Sequence, residues 1–94
     1  MKYTLEYHPC VVSEDIPRLG PNKSRVEKII LTKLTEHPEH FGQPLTGVLK
    51  NYRKLRVGFY RVIFRVNKNT VTIEKIGNRS VVYKEAVKRL IKKL

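Results

Sequence analysis

The first alternation along the chain is Lys2-Tyr3-Thr4-Leu5-Glu6-Tyr7-His8, with Tyr3, Leu5 and Tyr7 on one side and Lys2, Thr4 and Glu6 on the other. A period of two over strand-forming residues predicts a half-buried strand. The period then lengthens. Between Pro9 and Leu19 the apolar Val12, Ile16 and Leu19 recur at helical spacing, and Pro17 limits this first helix to a short or distorted one. Gly20-Pro21-Asn22 breaks the chain. A second helix follows, with Val26, Ile29, Ile30 and Leu34 in one stripe and Lys23, Arg25, Glu27, Lys28 and Glu36 facing away. From His37 to Gly47 the punctuation by Pro38, Gly42, Pro44 and Gly47 leaves no sustained period and predicts a loop.

Residues 52–57, 59–67 and 70–77 read as strands joined by short turns at Gly58 and Lys68-Asn69, the ingredients of an antiparallel meander. In the middle strand Tyr60, Val62, Phe64 and Val66 share a face that packs on the helices, which turns Arg61, Ile63 and Arg65 the other way. In the strand before it, Leu55 and Val57 look inward and Lys54 and Arg56 outward. One sheet face therefore carries Lys54, Arg56, Arg61 and Arg65 together. In the last strand Val71 and Ile73 define one face, but Lys75 falls on that same face, so the register stays open. After Arg79 and Ser80, the segment Val82 to Leu94 is amphipathic. Tyr83, Val87, Leu90, Ile91 and Leu94 recur at helical spacing among Lys84, Lys88, Arg89, Lys92 and Lys93, with Ser80 as the expected N-cap. The order strand, two helices, three strands, helix predicts a single α+β domain over residues 1–94. The expected architecture is an antiparallel sheet, built from the N-terminal strand and the C-terminal meander, with helices on one face.

The composition supports a folded core, since 40% of the 94 residues are hydrophobic and the aromatic residues are spread along the chain. No stretch approaches the ~20 consecutive apolar residues of a membrane span, and no apolar run of the signal-peptide type opens the chain. A cytoplasmic protein without membrane contact is expected, which agrees with a lone cysteine, Cys10. Cys10 beside His8 reads as a small half-buried thiol. His8, His37 and His40 lack a cysteine or carboxylate cluster at ligand spacing, so neither a metal nor a small-molecule cofactor is expected.

Charge changes the picture most. The net charge is +12, and residues 1–49 carry equal numbers of basic and acidic groups, whereas Glu74 and Glu85 are the only acids after Leu49. The whole excess lies on the sheet and the last helix, and a polyanion is its natural partner. Guanidinium groups grip phosphate oxygens in pairs, and aromatic rings stack on unpaired bases, so a basic face of this kind suits RNA. Cleavage could follow without a metal. RNA brings its own nucleophile, the 2′-hydroxyl, and needs only in-line positioning, removal of a proton and neutralisation of charge on the phosphate.

The wording of the second half is more specific. Tyr52-Arg53-Lys54-Leu55-Arg56-Val57-Gly58-Phe59-Tyr60-Arg61-Val62-Ile63-Phe64, followed by Ile76-Gly77-Asn78-Arg79-Ser80-Val81-Val82-Tyr83, resembles the RelE/ParE toxin superfamily. Its members show an Arg-Val-Gly-x-Tyr-Arg hairpin and later a Gly-x-Arg before a Tyr. The resemblance implies a RelE-like fold and a metal-independent endoribonuclease that cuts mRNA in the ribosomal A site and is neutralised by a cognate antitoxin protein. Carried over by position, it makes Lys54, Arg61, Arg79 and Tyr83 catalytic. Lys54 would activate the 2′-hydroxyl, Arg61 stabilise the transition state, Arg79 serve the phosphate or leaving group, and Tyr83 stack on a base. Arg53, Arg56, Arg65 and Asn78 would bind RNA. Two positions depart from the family pattern: Tyr52 stands where a further lysine falls, and Asn78 where many relatives have His, and Asn cannot titrate. Two other readings compete: a ParE-like inhibitor of DNA gyrase without nuclease activity, against which the retention of Lys54, Arg61, Arg79 and Tyr83 as one set speaks, and a non-catalytic RNA-binding module.

Overall fold

A computed structural model describes residues 2–91. Leu94, the last position of the expected C-terminal stripe, and the flanking Lys92 and Lys93 lie outside the described residues. The elements in order are β1 (Thr4–Tyr7), a π-helical turn (Val11–Asp15), a 3-10 turn (Pro17–Asn22), α1 (Lys23–Leu34), α2 (Pro38–Phe41), β2 (Gln43–Pro44), a 3-10 turn (Gly47–Leu49), β3 (Arg53–Val57), β4 (Tyr60–Asn67), β5 (Thr70–Asn78) and α3 (Val82–Leu90). The expected first helix is therefore two short irregular turns, as Pro17 and Gly20 require. Pro17 supplies no amide hydrogen, and Gly20 adopts a positive φ of 55°.

The fold class is the one expected, α+β with the meander β3-β4-β5 intact, and the sheet order is β1-β5-β4-β3-β2. Three details differ. First, β1 lies beside β5 and runs parallel to it, Leu5 opposite Val71 and Tyr7 opposite Ile73, so the sheet is mixed. Alternation reports which residues face the core but not which strand lies alongside, and that is why β1 could not be placed from its pattern. Second, Gln43 and Pro44, inside the expected loop, pair with Lys54 and Arg53 as a short edge strand. Third, α3 covers the opposite face from α1.

That third difference follows from Ile63. The main core joins Val26, Ile30 and Leu34 of α1 to Leu55, Val57, Val62, Phe64, Val71, Ile73 and Ile76. A second, smaller core on the other face gathers Leu49, Val82 and Ala86 around Ile63, which is fully buried, with Tyr83, Val87 and Leu90 at its margin. An isoleucine between Arg61 and Arg65 gives the basic face an apolar centre, and burying it against α3 removes that surface from water. The buried stripe is rotated by about one position from the expected one: Val82 and Ala86 are covered and Ile91 is exposed. Nor is Ser80 the N-cap. Val81 holds that position, and the Asn78 Oδ1 instead accepts hydrogen bonds from the Ser80 N–H (3.0 Å) and hydroxyl (2.9 Å).

The open register of β5 resolves as a bulge. Ile63 faces Lys75 but Phe64 faces Ile73, so Glu74 is an extra residue and the strand changes face there. Lys75 thereby leaves the core side. Close packing also explains Gly42, where an added Cβ would collide with the Phe64 ring and the Pro38 carbonyl. Phe64 is fully buried and has nowhere to retreat, so Gly42→Ala should lower stability by about 1–3 kcal/mol, measured as a shift in the urea midpoint.

Candidate nucleic-acid interface

The β3–β4 hairpin sets the geometry of the basic face. Its pairs run Lys54–Ile63, Leu55–Val62, Arg56–Arg61 and Val57–Tyr60, closed by the two-residue turn Gly58-Phe59. Gly58 has φ 58° while Phe59 does not, the pattern of a type II′ turn with glycine at its first central position. Arg56 and Arg61 stand directly opposite one another, a like-charge pairing that disfavours the sheet and that a purely structural hairpin would avoid.

Several predicted residues meet at this end of the sheet. The Lys54 Nζ lies 5.7 Å from the centre of the Tyr83 ring, at the start of α3. Arg61 is only 9% exposed, and its Nη1 donates to the carbonyls of Gly58 and Tyr60, each at 2.8 Å. Arg79 donates its backbone N–H to the Phe59 carbonyl at 2.8 Å and sets its guanidinium 5.3 Å from the Phe59 ring centre. Lys54, Arg56 and Arg61 also line a cleft of about 230 Å³ with Lys33, Phe41 and Gln43, at the edge of β3 that β2 leaves uncovered. Among the described residues, Lys54, Arg56, Arg61 and Arg79 make no ion pair within 4 Å, whereas Arg65, Lys75 and Arg89 all do.

The remaining predicted residues sit elsewhere or are engaged. Arg53 is on the opposite face and donates from Nη1 to the Gly42 carbonyl at 3.0 Å, fastening β3 to the α2–β2 connection. Arg65 shares the basic face, but it lies beyond Ile63 and is paired with Glu74 at 2.8 Å. Asn78 uses its side-chain carbonyl to shape the turn into α3. His8 Nδ1 accepts the Cys10 N–H at 3.0 Å, so the ring orders a turn there.

Two features escaped the sequence pattern. A Cβ at Gly58 would lie 3.4 Å from Arg25 Nη2, so a guanidinium from α1, far away in sequence, rests against the hairpin turn. The other is an ion cluster at the β5 edge. Past Ile73, β1 no longer covers β5, and side chains take over the strand's free groups. Asp15 Oδ2 accepts the Ile76 N–H at 2.9 Å, and Arg89 Nη1 donates to the Glu74 carbonyl at 3.0 Å. Arg89 and Asp15 are joined by a two-point contact of 2.8 and 3.0 Å, and Lys75 bridges Asp15 at 3.3 Å and Glu85 at 3.0 Å. Burial alone would raise the Asp15 carboxyl. The hydrogen bonds from Arg89 and Ile76, with the charges of Lys75 and Arg89, outweigh it and hold the group below its ordinary value of 3.8. This cluster fastens α3, and through α3 it fixes where Tyr83 sits against Lys54.

Residues 13–83 match the family profile described as ParE toxin of type II toxin-antitoxin system, parDE. The chain belongs to this toxin family, within the wider RelE/ParE superfamily. It is also similar to the RelBE2 toxin-antitoxin complex of Mycobacterium tuberculosis, with 26% identity and a TM-score of 0.76 over 84% of this chain and 100% of that one. A free-state mutant of the Escherichia coli toxin RelE gives 26% identity and a TM-score of 0.70 over 97% of this chain and all of the other. The Escherichia coli protein YafQ shares the fold at 18% identity, with a TM-score of 0.61 over 84% of this chain and 96% of its own. No curated protein sequence matches. Among the described residues, no helix is long and apolar enough to cross a membrane.

Proposed function

We propose that this toxin is a ribonuclease that cuts mRNA in the ribosomal A site of the cytoplasm by attack of the 2′-hydroxyl on the adjacent phosphate. The observation that carries this reading is the group Lys54, Arg56, Arg61 and Arg79, free of ion pairs among the described residues and adjoining the Tyr83 ring. Arg65, Lys75 and Arg89, elsewhere in the second half of the chain, each pair with an acid. At the hairpin they face like charge, an arrangement that a polyanion would relieve.

In this mechanism Tyr83 stacks on a base and Arg56 and Arg79 hold the backbone, so that the 2′-oxygen, phosphorus and leaving 5′-oxygen fall in line. Lys54 activates the 2′-hydroxyl, and Arg61 neutralises the charge that builds on the phosphate oxygens. The P–O5′ bond breaks as the 2′-oxygen bonds to phosphorus, the 2′-proton passing to solvent water and a proton from water capping the leaving 5′-oxygen. The products are a 2′,3′-cyclic phosphate and a free 5′-hydroxyl. Carboxylates are absent from this group, so the work is positional and electrostatic.

A partner follows from the same charge. A mutant of the Escherichia coli RelE neighbour was solved in complex with a peptide of the antitoxin RelB, and an acidic antitoxin encoded beside this chain would complement its basic face. Co-expression with the neighbouring reading frame should yield a co-purifying complex.

The family profile itself favours a second reading, inhibition of DNA gyrase. Purified protein incubated with programmed ribosomes and, separately, with gyrase and plasmid separates the two. Cuts within the A-site codon with supercoiling intact support the nuclease. Blocked supercoiling with intact mRNA supports the gyrase reading and overturns ours.

A further inference from the structure

The β3–β4 turn carries an aromatic ring that the Lys54–Tyr83 group does not use. Phe59 is 66% exposed at the tip of the hairpin. Single exposed apolar residues are ordinary, but this one is distinguished by its surroundings. Its carbonyl is held by the Arg79 N–H at 2.8 Å, and the Arg79 guanidinium sits 5.3 Å from the ring centre. On the neighbouring residue, Arg25 packs so closely that a Cβ at Gly58 would meet Nη2 at 3.4 Å and Nη1 at 3.5 Å. Arg61 donates to the Gly58 carbonyl from below. Guanidinium groups from α1, β4 and the β5–α3 connection thus converge on a two-residue turn, and none of them makes an ion pair among the described residues.

We propose that Phe59, Arg25 and Arg79 form a further nucleotide subsite for single-stranded RNA, next to the cleavage group and distinct from Tyr83. The inference rests on the RNA reading of the basic face and extends it by one nucleotide. The Phe59 ring stacks on a base, while Arg25 and Arg79 hold the phosphates that flank it. A phenyl ring offers no hydrogen bond, so the subsite grips any base and adds affinity and register without sequence preference. At a protein interface the core around such an anchor is depleted of charge, and polar groups are left to the rim. Here three guanidinium groups stand immediately against the turn itself, which suits a phosphodiester backbone. The turn geometry fixes the backbone from which the ring projects, because a type II′ turn continues the twist of β3 and β4.

The test uses a single-stranded RNA oligonucleotide carrying 2-aminopurine and 2′-O-methyl groups throughout, so that it binds without being cut. Wild-type protein should bind it and quench its fluorescence by stacking. Phe59→Leu keeps apolar bulk but lacks a π face, and it should weaken binding about tenfold, lose the quenching contributed by this ring and leave the salt dependence unchanged. Phe59→Tyr should restore both affinity and quenching. Arg25→Gln should weaken binding and lower the salt slope by about 0.7, the loss of one phosphate contact. Because Phe59 and Arg25 are exposed, unfolding midpoints should match wild type and exclude misfolding as the cause. If Phe59→Leu binds as tightly as a wild type that does bind, the subsite is wrong and the RNA reading stands. A wild type that neither binds nor cleaves RNA removes both. Loss of antitoxin binding by Phe59→Leu with RNA affinity intact would make the ring a protein contact and overturn the subsite.

Discussion

Asp15→Ala is expected to destabilise the protein by about 3–5 kcal/mol, the range for breaking a buried charge pair by removing one partner. Its carboxylate is completely covered and receives Arg89, Lys75 and the Ile76 N–H at once. Without it, Arg89 loses its closest acid, Lys75 keeps only the half-exposed Glu85, and a strand-edge N–H is left without an acceptor. A domain of this size has about 5–15 kcal/mol of stability in total, so much of the margin would disappear. The effect is read as the change in urea midpoint at neutral pH. The pH dependence has a fixed sign. Folding lowers the Asp15 pKa below 3.8, so its contribution is complete above the unfolded value and is lost as pH falls through the lowered folded value. Wild type should therefore lose stability more steeply than Asp15→Asn as pH drops below about 4. Equal slopes, or a loss under about 1 kcal/mol for Asp15→Ala, would mean that the cluster does not hold α3 in place.

Arg61→Ala should reduce mRNA cleavage by about 100- to 1000-fold, the usual consequence of removing one preorganised charge donor from a reacting centre. Arg61 is also structural, since it caps the carbonyls of Gly58 and Tyr60, and its removal should cost about 1–3 kcal/mol of stability. Arg61→Lys separates the roles. Lysine retains the charge but cannot reproduce the forked geometry, so stability should recover more than cleavage does. Single-turnover cleavage rates and unfolding midpoints on the same preparations provide the comparison. Cleavage that falls only in proportion to the unfolded fraction would assign Arg61 to the hairpin alone.

Local pattern carried much of the fold. Alternation in 52–67 correctly placed Leu55, Val57, Val62 and Phe64 in the core and Lys54, Arg56 and Arg61 on the other face. What it could not supply was non-local. The parallel partner of β1 and the side on which α3 docks depend on which surfaces meet, and a residue period does not encode that. The bulge at Glu74 interrupts the alternation itself, which is why Lys75 seemed to belong to the core face. The candidate site divides along the same line. Lys54, Arg56 and Arg61 follow from strand geometry, while Arg79 and Tyr83 came only from the family resemblance, because they lie in a turn and a helix start. Arg65 has the right face, but charge counting cannot reveal that Glu74, nine residues along, neutralises it. Arg25 belongs to α1 and gives no local sign that its guanidinium reaches Gly58.

In the proposed reaction the basic hairpin group breaks RNA through the ribose 2′-oxygen. The most direct measurement replaces one nucleotide of the A-site codon by its 2′-deoxy form and maps the cuts on programmed ribosomes. Cleavage should disappear at the bond 3′ to that nucleotide, whereas the all-ribose message should still be cut at that bond and end in a 2′,3′-cyclic phosphate. Undiminished cutting at the deoxy position, or an intact all-ribose message, would contradict that reaction.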